Sequence, residues 1–147
     1  LKEYEEELKK LLLDITPNVQ TYFGELSDFN NIQVATNKMP IIYVDFIGEK
    51  PINDFSTSMQ FCLYLVIATF SKNEKVRDIK RYDIYTLINS INKLLYFNTI
   101  LNSKRVILKA SSKILDHKTS NAYLTIFKKE LEFNIDTNEP YKGLYDE

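Results

Sequence analysis

The sequence predicts an α+β fold: a single domain, a mainly antiparallel sheet, and helices packed on one face of it. Three observations predict this. First, Ser56–Phe70 reads STSMQFCLYLVIATF and is apolar at both parities. Phe61, Leu63, Leu65 and Ile67 fall on one side, Cys62, Tyr64, Val66 and Ala68 on the other. A strand apolar on both faces is covered on both faces, so this is the interior strand. Its β-branched and aromatic content favours strand over buried helix. Second, two segments carry helical periodicity. Third, the strands come in adjacent pairs instead of alternating one for one with helices.

The elements follow in chain order. Tyr4, Leu8, Leu11, Leu12 and Ile15 recur at spacings of three and four and form one helical stripe. Glutamates early and lysines late suit the helix dipole. Thr16-Pro17-Asn18 ends the helix, because the residue before proline is driven out of the helical region. Residues 18–38 carry the weakest pattern: Val19–Phe23 suits a short strand, Gly24 and Asn30-Asn31 suit turns, and a short helix from Glu25 is compatible. Pro40 opens PIIYVDFIG as a strand, a position where proline need not donate to the ladder. Residues 48–54 make a polar connection into the central strand, of a length that fits an antiparallel hairpin with a protruding tip.

After Phe70, residues 71–74 form a turn and helix start. Ile79, Ile84, Leu87, Ile88, Ile91, Leu94 and Leu95 then mark a long amphipathic helix over residues 75–96. Residues 98–103 break it. Arg105–Lys109, extending toward Leu115, is a strand; 116–121 is a polar turn; 122–135 is the last strand. Tyr123, Phe127, Leu131, Phe133 and Ile135 share one face of that strand, interrupted by Thr125 and Lys129. Residues 1–135 thus make one domain, and 136–147, with Pro140 and Gly143, make an extended C-terminal arm.

A chain of 147 residues with 44% hydrophobic residues and 27% charged suits one globular core. Aromatic residues reach 13%, with ten Tyr and nine Phe. Tyrosine-rich surfaces often serve contacts, since the ring is apolar and the hydroxyl is not. No stretch has the length of a membrane span, and the acidic, amphipathic N-terminus is unlike a secretion signal. The single cysteine, Cys62, lies mid-strand and reads as a small buried hydrophobe, as in a reducing compartment.

The net charge of −1 hides an uneven distribution. Residues 1–71 sum to −5, residues 72–130 to +8, and residues 131–147 to −4. Such asymmetry suits a basic surface against nucleic acid, or against an acidic surface of another copy of the chain.

Catalytic signatures are missing from the sequence. The glycines stand at 24, 48 and 143, so there is no phosphate-binding loop. One His and one Cys do not make a metal site. His117 reads as a turn residue. Asp45, with Glu49 and Asp54, offers an acid pair, but an edge-strand charge that discourages wrong pairing explains Asp45 better. Lys104, Arg105, Lys109, Lys113, Lys128 and Lys129, near Tyr123 and Phe127, have the ingredients of a single-strand nucleic-acid surface. Aromatics at period two are more often core. Neither a catalytic residue nor a cofactor is expected.

Interface residues are the better candidates. Arg77, Lys80 and Arg81 stand in the first turns of the long helix, against its dipole, which suggests that they face an acidic partner. Lys104 and Arg105 flank the next strand. In the arm, Tyr141, Leu144 and Tyr145 are sizeable apolar groups without periodicity, suited to docking on another subunit.

Taken together, an N-terminal helix, PIIYVDFIG, an apolar strand ending LVIATFS, a charged turn and a helix with IYTLINSINKLL resemble the tail terminator proteins of contractile-tailed bacteriophages, including Mu-like prophage tail proteins. The resemblance covers residues 1–135 and is one of pattern. It implies a non-enzymatic structural protein of the virion tail, or of a tail-like bacteriocin, assembled in the bacterial cytoplasm. It implies a hexameric ring that caps the tail tube, anchors the last sheath ring and meets the neck or head-tail connector. A head-completion or neck adaptor ring fits the same pattern. From another class, so does a small nucleic-acid-binding module.

Overall fold

Ser56–Thr69 forms β3, the middle strand of a five-stranded sheet ordered β1-β2-β3-β5-β4. The structure, a computed structural model, describes residues 1–27, 40–69, 73–118 and 123–136, with the side chains of Thr69, Lys80, Arg81 and His117 excepted. The other elements are α1 (Lys2–Leu12), β1 (Val19–Thr21), β2 (Ile41–Asn53), α2 (Glu74–Leu95), β4 (Ile107–Lys118) and β5 (Tyr123–Asp136). β3 pairs antiparallel with β2 on one side and with β5 on the other, and β4 pairs antiparallel with β5. Among the described strands only β1 is parallel to its neighbour, matching Val19–Thr21 to Ile42–Val44. The fold is α+β, with a mixed but mostly antiparallel sheet.

The two parities of β3 lead to two cores. Phe61, Leu63, Leu65 and Ile67 meet Leu8 and Leu12 of α1 and Ile84, Leu87, Ile91 and Leu95 of α2, so both helices cover the same face. At the centre, Phe61 stacks on Phe133 with centroids 5.6 Å apart, and Phe46 meets Phe61 edge-on at 5.3 Å. The opposite face carries a second, smaller cluster. Val66, Leu124, Ile126 and Ile41 pack there with Leu26, and Tyr22 lies against Tyr43 and Tyr64. Nearer Ser56 that face carries Gln60, Ser58 and Glu132, and Ser58 donates to Glu132 at 3.0 Å.

Several local expectations change. Residues 48–53 belong to β2, not to a connection, and the turn shrinks to Asp54-Phe55. Pro51 is tolerated because β1 pairs only as far as Val44, and beyond that point β2 has no partner on its outer edge among the described residues. A bulge between Phe46 and Gly48 lets Ile47 out of register, leaving it exposed. β4 runs on to Lys118, so His117 stands in a strand and not in a turn. Residues 25–27 do not begin a helix: Ser27 N donates to Gly24 O in a turn. Asn30, Asn31 and the remainder of the weak segment lie outside the described residues.

Buried polar groups normally find partners. Thr57 is 1% exposed, and its hydroxyl has no protein partner. Thr57→Val keeps the shape and removes the desolvated hydroxyl, so it should raise stability by about 1 kcal/mol in urea unfolding. A loss of stability would show that the hydroxyl is satisfied in solution.

Candidate functional site

Charge is partitioned across the sheet. β3 has no ionisable acid or base except its buried thiol and one tyrosine. On one side of it lie α1, β1 and β2, and residues 1–27 and 40–55 hold nine acids and four lysines, a sum of −5. On the other lie β5, β4 and α2, and residues 73–118 and 123–136 hold twelve Lys or Arg and seven acids, a sum of +5. α1 packs mainly by β1 and β2, and α2 by β3, β5 and β4, but Tyr4 at the start of α1 reaches across to the ring of Phe133 and donates to Asn102.

Arg77, Lys80 and Arg81 stand on the first turns of α2. Asn73 caps this helix, accepting from Lys75 N at 2.9 Å and Val76 N at 3.4 Å. No described side chain from Glu74 to Asp83 is buried, and the first buried residue of α2 is Ile84. These turns nevertheless carry Val76, Ile79 and Tyr82, 40%, 62% and 61% exposed. Spaced by three, they form a slanting row, which Tyr85 extends with its ring 5.9 Å from that of Tyr82. Ile79 is therefore not a core residue, contrary to the periodicity argument. The five-residue step from Ile79 to Ile84 was the signal that it had left the stripe. The Arg77 guanidinium lies 4.4 Å from the Tyr123 ring centroid, at the Thr69 end of β3.

Lys104 and Arg105 sit at the other end of the sheet. Lys104 Nζ is 3.2 Å from Asp136, whose register partner is Ser56. Arg105 lies 4.6 Å over the ring of Phe97. Phe97 and Leu101 adopt positive φ, 64° and 54°, and both are exposed. For bulky residues this backbone costs about 1 kcal/mol or more each, and no sequence pattern announced it. β3 is 14 residues long, so at about 3.3 Å per residue the two basic groups stand roughly 40 Å apart. They do not form one site. Tyr141, Leu144 and Tyr145 lie outside the described residues, as does the arm beyond Asp136.

The basic strand surface is not a single platform. Lys128 and Lys129, being adjacent, point to opposite faces of β5. Lys128 pairs with Glu130 at 2.9 Å, Lys109 with Glu132 at 3.3 Å, and Lys113 with Asp116 at 2.8 Å. Lys129 is 4% exposed, and its Nζ donates to Lys109 O at 2.8 Å, where β4 breaks register between Leu108 and Ser111. The irregularity explains the charge within the apolar face: the ammonium takes up a carbonyl displaced from the ladder. Burial pulls its pKa down.

Nor do the acids converge. Asp45 stands opposite Cys62, whereas Glu49, past the bulge, stands opposite Met59. The bulge thereby turns the two carboxylates to opposite faces. Asp45 is raised in pKa by partial burial, with Glu5 adding to it. Among the described residues no group of His, Cys, Asp and Glu could hold a metal ion. An open cavity of about 290 Å³ lies between Ile15, Pro40, Ile67, Asp83, Thr86 and Ser90.

Cys62 is fully buried and free. Burial pushes its thiol up to about 11 from an ordinary 9.0, Lys128 opposing and Asp45 and Glu130 adding. Burial likewise raises Tyr64 to about 12 from 10.0. Both groups keep in the folded state protons that the unfolded chain releases, so the stability they contribute is complete below pH 9 and falls above it. Urea midpoints should therefore decline from pH 9 through 11, and Cys62→Ala should flatten the earlier part of that decline. A flat wild-type profile would mean that the thiol is hydrated.

No protein-family model matches this chain, and no curated protein does.

Proposed function

We propose that this chain is a structural subunit of a phage tail or tail-like particle, one that joins copies of itself in a ring and closes the end of the tail tube. The observation that carries the reading is the partition of charge, −5 and +5 on either side of β3. A ring needs a heterologous contact, in which one patch meets a different patch on the next subunit. A subunit acidic on one flank and basic on the other orients its neighbour head to tail and disfavours the mirrored, like-on-like pairing. The order of elements supports the same reading by its resemblance to tail terminators. The tube protein, the last sheath ring and the neck are then the partners along the axis.

The test is the mass of the purified protein in solution, alone and mixed with its tube protein. The expected result is a species of six chains in the mixed sample, dispersed by high salt. A single chain mass in both samples overturns the proposal.

A further inference from the structure

We infer that the tip of the β2–β3 hairpin of one copy seats on the first turns of α2 in the next copy. The inference rests on the ring reading and supplies its contact. α2 begins with about three turns in which no described side chain is buried, Arg77 lying against the Tyr123 ring, yet these turns bear Val76, Ile79 and Tyr82 in the open. Packing of an apolar face supplies most helix stability in proteins, and this exposed apolar row is a face that a partner would complete.

The hairpin tip matches it in chemistry. Ile52 and Phe55 are 53% and 47% exposed at the turn, and the bulge after Phe46 leaves Ile47 in the open behind them. The tip bears Glu49 and Asp54 with Lys50; residues 74–82 bear four cations, including Lys75 and Arg77, against Glu74 and Asp78. The signs are opposite, as on the flanks from which the two elements come.

Position excludes an intramolecular match. The tip lies at the Ser56 end of the sheet on the acidic side, and the first turns of α2 lie by Tyr123, at the Thr69 end on the basic side. Diagonally opposite corners meet only between copies, and repeating that contact is head-to-tail by construction. Strand addition is the less suitable contact. Pro51 and the shifts at Ile47 and Ile52 interrupt the β2 edge, and irregularities with Lys109 and Lys113 interrupt β4.

Phe55→Cys and Ile79→Cys, combined in one chain, test the contact in particles purified from producing cells. Both sites are exposed, and buried Cys62 stays unreactive. Mild oxidation should link particle-bound chains into a ladder reaching the ring size, and neither single variant should form one. Particle-bound chain without a ladder overturns this contact and leaves the ring reading standing. Absence of even the wild-type chain from particles overturns the ring reading and the contact with it.

Discussion

Phe61→Ala is expected to remove about 3–5 kcal/mol of stability, in a domain whose whole margin is on the order of 5–15 kcal/mol. Phe61 is fully buried, stacks on Phe133, meets Phe46 edge-on and lies on the one strand that contacts both halves of the sheet. Its loss vacates the point where α1 and α2 meet the sheet, and neither neighbouring ring can cross the gap without leaving its own packing. Thermal unfolding followed by circular dichroism should show a far lower midpoint. Phe55→Ala, an equally large deletion at the exposed tip, should leave the stability within about 0.5 kcal/mol of wild type. Similar losses from both would mean that the tip is part of the core.

The contrast between those two phenylalanines marks how far the sequence could be read. β3 was legible because burial on both faces leaves an unbroken apolar run, and Phe61 stood in the middle of it. The hairpin, the long helix and the last strand were legible because each buries apolar residues at its own period over part of its length. What could not be read is what periodicity does not encode. The bulge at Ile47 shifts the parity of β2 by one residue, so Asp45 and Glu49 turn to opposite faces although their spacing puts them on one. Lys129 breaks the pattern of β5 to serve a carbonyl on β4, a requirement set by another strand. The first turns of α2 keep the helical pattern without burying a described side chain, and a helical pattern cannot say which turns are covered. Of the interface residues read from sequence, Arg77 and Lys104-Arg105 fall at opposite ends of the molecule, which composition alone could not reveal.

Reversing Arg77, Lys80 and Arg81 together to Glu is expected to abolish assembly without unfolding the subunit. The change takes the basic flank from +5 to −1 and erases the charge partition. Loss of steering lowers association rates by roughly 10- to 1,000-fold at low ionic strength, and like charges across the contact oppose it further. The monomer should fold nearly as well as wild type. Glutamates in the first turns suit the helix dipole, which offsets the loss of Arg77 from the ring of Tyr123. Circular dichroism should report the retained fold, and sedimentation the lost assembly. Assembly at wild-type levels would remove these residues from the contact.

The proposed ring of copies of this chain at one end of a tube can be seen by imaging particles that carry a gold-labelled C-terminal tag on this chain. The expected result is label confined to a single end of each tube, with six copies there when the end is viewed along its axis. Label spread along the tube, or a chain recovered singly and away from any tube, would contradict it.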